Sequence, residues 1–216
     1  MQLVLLHGMG QTAASWQETI LNLPNEWQIH CPELFKTEEA STYNQLYEEF
    51  VKECEKYPAP FHLGGISLGA VMACQYAIQY PKKVKSLLLI AVQLKPPPYL
   101  LKFQQFIFSL LPKSYFEKHN LNKEQLLLLC RSLKNLNLKT NLQQIQCPAI
   151  AICGEKDYVN QQASKEFIKA LVKAQYAVIE QAGHEVNIEK PMELAIVIKR
   201  FLKEASRKNE IRKEIP

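Results

Sequence analysis

Phe61-His62-Leu63-Gly64-Gly65-Ile66-Ser67-Leu68-Gly69-Ala70 is the stretch that decides the fold of this chain. An apolar run ends at Gly65 and a helical pattern opens after Ser67. Between them lies Gly65-x-Ser67-x-Gly69, a pattern that in strand–turn–helix context forms a nucleophile elbow. The residue types follow from the geometry. The serine takes a strained backbone conformation so that its hydroxyl projects above the sheet. Strand and helix then approach so closely that only small residues fit two positions before and after it. The Leu68 N–H sits at the helix N-terminus, where an unpaired donor and the helix dipole favour an oxyanion. The plain alternative is a glycine-flanked tight turn with an idle serine.

Outward from this stretch, short apolar runs alternate with longer amphipathic ones. Strands are expected at Gln2–Leu6, Gln28–Cys31, Phe61–Gly65, Val84–Val92, Ala149–Cys153 and Gln175–Ile179. These runs are continuous rather than alternating, as in strands buried on both faces of a parallel sheet. Helices are expected at Thr12–Asn22, Thr42–Tyr57, Leu68–Tyr80, Gln162–Lys173 and Met192–Ala205, with Pro81, Pro148 and Pro191 at boundaries. Repeated strand–helix–strand units predict a doubly wound α/β sheet.

Residues 94–146 break the pattern, being too long for a simple connection. They open with Pro96-Pro97-Pro98, a stiff spacer. Two helical patterns follow, at Tyr99–Leu111 and Leu126–Leu136, the second preceded by Asn122-x-x-Gln125, which resembles a capping box. Leu100, Leu101, Phe103, Phe106, Ile107, Phe108 and Leu110 make the first of these very apolar. It is expected to pack mainly on the body beneath, with part of it lining an acyl or aromatic pocket.

Composition bounds the rest. The chain has 216 residues, 47% hydrophobic and 22% charged, which suits one globular domain and excludes disorder as its main state. No run of 18 or more apolar residues predicts a membrane-spanning helix, and the first residues do not read as a signal peptide. Six cysteines without a Cys-x-x-Cys pair read as reduced, buried thiols, which places the protein in the cytoplasm. No metal site or cofactor is indicated. The net charge of +5 is uneven: residues 94–146 carry +6, residues 199–216 carry +4 and the remainder −5. A nucleic-acid binder is not expected from that distribution. The basic positions of the helical insertion form either a solvated surface or a docking site for an acidic acyl carrier.

A serine nucleophile needs a base, and the base an orienting acid. His30 and His62 fall in expected strands, and His119 in the insertion. His184 follows the last strand, beside Gly183, at the sheet edge where doubly wound folds place their sites. It is the best base. Asp157, in Gly154-Glu155-Lys156-Asp157 after the penultimate strand, is the chosen acid, with Glu155 its local competitor. The stretch Ala91–Leu94, an alternative position for the acid, offers no carboxylate. The order Ser67, Asp157, His184 suits this fold.

These motifs together resemble the α/β-hydrolase family over nearly the whole chain. The resemblance rests on His7-Gly8-Met9-Gly10, Trp16, Gly65–Gly69, Gly154–Asp157, Ala182-Gly183-His184 and Glu189-Lys190-Pro191. It implies a three-layer α/β-hydrolase fold with a core of residues 1–93 and 147–216 and a helical cap of residues 94–146. It implies Ser67 as nucleophile, His184 as general base and acid, Asp157 as its orienter, and an oxyanion hole of the Met9 and Leu68 N–H groups. His7 would hold its loop. Trp16, Phe103, Phe106, Ile107 and Val159 are the expected substrate contacts. Three departures stand out. The first two strands of the usual fold are missing from the pattern, so a six-stranded all-parallel sheet is expected. Pro32-Glu33-Leu34-Phe35-Lys36 replaces the usual Asp-x-x-Gly-x-Gly turn. The cap is small.

A serine nucleophile argues against aspartate-using dehalogenases and epoxide hydrolases, and His-Gly-Met-Gly differs from the run of proline iminopeptidases. The expected reaction is hydrolysis of a small apolar carboxylic ester, thioester or lactone through an acyl-enzyme. A histidine base must be neutral, so activity should fall on the acid side of the ordinary histidine range. Two alternatives use the same scaffold: a ligand-binding protein, and a carbon–carbon bond hydrolase or lyase.

Overall fold

The computed structural model describes residues 1–35, 41–118, 122–171 and 174–214. Six strands form one sheet: β1 Gln2–Leu6, β2 Gln28–His30, β3 Phe61–Ile66, β4 Val84–Ile90, β5 Ala149–Gly154 and β6 Ala174–Ile179. Their order is β2-β1-β3-β4-β5-β6 and every pairing is parallel. The six-stranded all-parallel expectation therefore holds. β3 and β5 are buried at every position, which explains their unbroken apolar runs.

Side chains alternate across the sheet and feed two cores. Val4 and Leu6 of β1 join Leu63, Leu87 and Leu89 beneath α2 (Tyr43–Cys54), α3 (Leu68–Gln79) and α7 (Tyr158–Lys169). Leu3 and Leu5 join Ile66, Leu88 and Ile90 on the other face. There they meet Trp16, Val186 of α8 (Val186–Glu189) and Leu194 and Ile198 of α9 (Pro191–Glu214). A 3-10 turn at Ala13–Trp16 and α1 (Gln17–Leu21) occupy the expected first helix. Trp16 is wholly buried in this second core, which corrects its assignment as a substrate contact. Its ring fills the space between β1 and α8, far too enclosed to meet a ligand.

Between β4 and β5 the chain forms α4 (Pro98–Leu110), α5 (Lys113–Lys118), α6 (Lys123–Ser132) and two short 3-10 turns. Pro98 opens α4 at a position where its missing N–H costs nothing. Asn122 caps α6 by accepting from the Gln125 N–H. The reciprocal half of the expected capping box is absent, because the buried Gln125 amide instead bonds both backbone groups of Ser41. This ties α6 to the start of α2. The expected burial of α4 also fails. Leu101 is buried, whereas Tyr99, Phe103, Phe106, Ile107 and Leu110 are exposed. α4 packs mainly against α6, with Leu101 its buried residue and Phe108 against Phe116, while its outer side chains stay exposed.

All six cysteines are free thiols. Burial pushes Cys31, Cys54, Cys130 and Cys147 up to about 12, which disfavours their thiolates. His119 and Lys36 lie outside the described residues. Among the described residues, no helix is long and apolar enough to cross a membrane.

Candidate active site

The strand order itself locates the site. From β1 the chain goes one way to β2 and the other to β3, leaving a crevice above the C-terminal ends of β1 and β3. Leu6 pairs with Gly65, so the loop His7–Gly10 runs beside the turn at Ser67.

Ser67 has φ 53° and ψ −112°, outside the regions open to most L-residues. Its N–H donates to the Ile90 carbonyl at 2.9 Å, which helps hold the turn. A Cβ on Gly65 would lie 2.4 Å from the Gly69 carbonyl carbon, and one on Gly69 would lie 2.4 Å from the Leu6 oxygen. The two glycines are therefore a steric requirement for passing the helix start over the sheet. As the first residue of α3, Leu68 has an N–H with no intrahelical acceptor.

Gly8-Met9-Gly10-Gln11 is a tight turn closed by Gln11 N–H donating to the Gly8 carbonyl at 3.2 Å, with Gly10 at φ 84°. That closure leaves the Met9 N–H unused by the turn. His7 braces the loop, with its Nδ1 3.0 Å from the Gly8 carbonyl and its Nε2 2.6 Å from Glu33 Oε1 and 3.0 Å from the Leu34 nitrogen. The segment Cys31–Phe35 thus reaches the same loop by a turn of its own.

Asp157 and His184 meet because β5 and β6 are neighbours. A Cβ on Gly154 would lie 2.1 Å from the Gly183 oxygen, so only glycine lets the two loops touch. The Lys156 N–H donates to the Ala182 carbonyl at 2.9 Å across the same contact. His184 Nδ1 donates to Asp157 Oδ2 at 2.8 Å, leaving Nε2 available for a serine hydroxyl. Glu189 clamps the histidine loop: its carboxylate accepts from Gly183 N–H at 2.7 Å and from Glu185 N–H at 3.0 Å. This gives a physical role to the Glu-Lys-Pro motif.

The sequence reading missed Asn160. Helix α7 begins at Tyr158, four residues earlier than expected, because Asp157 is its N-cap and accepts from the Asn160 N–H. The Asn160 amide nitrogen then lies 2.8 and 2.7 Å from the two Asp157 oxygens and donates to the carboxylate. It also lies 3.0 Å from His184 Nδ1; that ring nitrogen already donates to Asp157, so this approach is packing rather than a bond. The Asn160 Oδ1 is buried without a partner among the described residues. Burial opposes ionisation of Asp157, but hydrogen bonds from His184 and Asn160 outweigh it and hold the carboxyl below its ordinary value. The spacing Asp157-x-x-Asn160 was the available signal.

Gln11 was also missed. Its Oε1 accepts from Gly8 N–H at 3.2 Å, while its Nε2 donates to Glu185 Oε1 at 3.0 Å and to Asn187 Oδ1 at 3.3 Å. One buried amide therefore links the loop carrying Met9 to the loop carrying His184.

A cavity of about 370 Å³ gathers these parts. Ser67, Asp157 and His184 line it together with Met9 and Leu68, and so do Phe103, Ile107 and Val159. Phe106 does not, because it turns outward on α4; this corrects its assignment as a substrate contact. Val71, Gln93, Pro96, Leu101, Gln104 and Leu133 complete a largely apolar wall. They come from three separate chain segments, so no local pattern marks them. Among the described residues, no lysine or arginine lines the cavity. Among the described residues, no cluster of three His, Cys, Asp or Glu could hold a metal ion.

A parallel sheet with a serine elbow at its switch point and a paired histidine and aspartate beyond it defines a class of hydrolase scaffold. The chain belongs to the alpha/beta hydrolase family, whose model matches residues 3–196. It is 22% identical to monoacylglycerol lipase ABHD6 of Homo sapiens, over 93% of this chain and 74% of that protein. It is 25% identical to the pimeloyl-[acyl-carrier protein] methyl ester esterase of Wigglesworthia glossinidia brevipalpis, over 93% of each chain. Its fold superposes on a thermophilic esterase from Thermogutta terrifontis with a TM-score of 0.78 at 18% identity, covering 95% of this chain and 90% of that one. These two relatives are lipase- and esterase-type enzymes, which supports a hydrolase.

Proposed function

We propose that this chain is a serine carboxylic ester hydrolase working through an acyl-enzyme. Ser67 Oγ attacks the substrate carbonyl carbon while His184 Nε2 takes its proton. The resulting oxyanion faces the Met9 and Leu68 N–H groups, and each such donor is worth roughly 2.7–4 kcal/mol in kcat. Collapse breaks the ester bond, and the His184 imidazolium protonates the departing alkoxide or thiolate. Water then attacks the acyl-enzyme, giving a proton to His184, and Ser67 is released with the acid product. Asp157 stabilises the imidazolium and keeps the ring's tautomer; Asn160 and Glu189 position the pair.

The observation that carries this reading is Ser67 at φ 53° on the wall of a cavity shared with the His184–Asp157 pair. Residues 94–146 serve as a cap, with Phe103 and Ile107 over the acyl group. The apolar wall and the lack of a lining cation favour an uncharged acyl chain, as an ester, thioester or lactone. The six free thiols suit the cytoplasm.

A panel of p-nitrophenyl esters, thioesters and lactones of graded chain length tests the proposal on wild type and Ser67→Ala. Turnover by wild type should fall by about 10⁴-fold or more in the variant. Turnover indifferent to the substitution would sink it. An inert wild type that still binds acyl ligands would make the protein a receptor on a hydrolase scaffold.

A further inference from the structure

Apart from Phe103 and Ile107, the exposed side chains of α4 are not used by the proposed chemistry. Tyr99, Phe103, Phe106 and Leu110 stand at i, i+4, i+7 and i+11, which places them on one stripe. They are 67%, 62%, 57% and 65% exposed. A continuous apolar stripe of this kind, three aromatic rings and a leucine, marks a contact surface. It is preformed: Pro98 opens the helix, and Lys123 Nζ donates to the Ser109 and Leu111 carbonyls at 2.8 and 2.7 Å at its end. One flank of the stripe lines the cavity through Phe103 and Ile107. The other flank carries the exposed Lys102, and the exposed Lys95 and Lys113 stand near the two ends.

We propose that α4 docks this protein onto an anionic lipid surface, with the cavity mouth facing the lipid. An apolar stripe edged by lysines is the composition of a helix that lies in a membrane interface. The charge selects the occupant. Residues 94–146 carry +6, so a second copy on this face would set like charges together. An acidic carrier protein would satisfy the lysines but would have to supply an apolar face for four exposed side chains. An anionic bilayer satisfies both at once, and the cytoplasmic leaflet has that charge. Docking requires no chemistry at Ser67; what it adds to the proposed hydrolase is access to esters dissolved in lipid.

Flotation with vesicles of phosphatidylcholine and phosphatidylglycerol tests it, with phosphatidylcholine vesicles as the comparison. Wild type should bind the anionic vesicles at least about fivefold better, and added salt should weaken the binding. Phe106→Glu/Leu110→Glu, at positions outside the cavity, should lower binding about tenfold or more while leaving hydrolysis of a soluble short ester unchanged. Lys102→Glu, wholly on the surface, gives a second variant with the fold untouched and should also weaken anionic binding. Ser67→Ala should bind as wild type does, so loss of the hydrolase reading would leave this result standing. The proposal is overturned if folded wild type fails to float with anionic vesicles. It is overturned equally by a solution dimer that the double variant dissolves, or by an acyl carrier whose binding needs Lys102 but not Phe106 and Leu110.

Discussion

The loops at the sheet edge and the helical segment above them are built on opposite terms. At the edge, Gly65, Gly69 and Gly154 leave no room for even a methyl group. Hydrogen bonds then tie the Asp157 loop to the His184 loop and the Met9 loop to the His184 loop through Gln11, while the Ser67 N–H is held by the Ile90 carbonyl. Above the cavity, α4 is held chiefly by Leu101 and by contacts with α6. The difference teaches a division of labour. Chemistry requires positions fixed to fractions of an ångström, whereas an apolar substrate requires only a surface that covers it.

The largest expected effect at the edge is on rate. Ser67→Ala should lower kcat by about 10⁴-fold or more on any ester the wild type turns over. The same site should gain stability on Ser67→Gly, by about 1 kcal/mol in thermal unfolding, because glycine accepts φ 53° without strain. An unchanged melting temperature would mean that the elbow stores no strain.

Next comes the steric requirement. Gly65→Ala should cost about 3 kcal/mol or more by denaturant titration, since backbone atoms at 2.4 Å must move. A matched Leu101→Ala should cost about 2–5 kcal/mol if that residue is the anchor of α4, and should leave the edge folded. Equal loss of α4 and edge structure in both variants would erase the contrast.

A third effect separates the strands from their loops. His62 is buried in β3, where its Nδ1 lies 2.7 Å from Ser86 Oγ and its Nε2 has no partner among the described residues. Burial, chiefly, pulls its pKa from 6.5 to about 4. A depressed histidine pKa means that the unfolded chain binds the extra proton first. This contribution is complete above pH 6.5 and is lost as pH falls toward about 4, amounting to about 3 kcal/mol. Measured as unfolding free energy against pH, the loss should be smaller in His62→Gln. A pH slope that the substitution does not change would remove His62 as its source.

Asn160 gives a smaller and more pointed test. Its amide helps hold the Asp157 carboxyl below its ordinary value. Asn160→Asp should set two carboxylates side by side and raise the apparent pKa of the pair, moving the acid limb of kcat/KM to higher pH. Asn160→Ala should lower kcat roughly tenfold with little change in KM. A pH profile unmoved by Asn160→Asp would reduce the residue to a helix cap.

The smallest effects belong above the cavity. Phe103→Ala should change stability by less than about 0.5 kcal/mol, as its ring is largely exposed. It should raise KM severalfold for longer acyl esters only, through lost apolar contact. A large stability loss would show that α4 is as fixed as the edge beneath it.

The sequence alone determined the parts of this protein that depend on local rules. Continuous apolar runs marked the strands, although only the inner ones are buried on both faces while β2 and β6 at the edges are partly exposed, and small residues around Ser67 marked a turn that nothing larger could make. Ser67, Asp157 and His184 could be read as candidates because each lies in the loop or turn that follows a strand, where the parallel topology collects chain ends into one edge. Tertiary structure alone decided what depends on distance through space. Trp16 reads like a site residue beside the His7–Gly10 loop, yet the fold packs it beneath the sheet. Phe103 and Phe106 are equivalent in apolar pattern and similarly exposed, but the direction each takes from the helix axis brings only Phe103 to the cavity wall. Gln11 acquires its role only when a loop 174 residues away in the chain closes on it, whereas Asn160 is bound locally to Asp157 and meets His184 only through the packing of their two loops. Periodicity records which face of an element is apolar; only the packed molecule decides what that face meets.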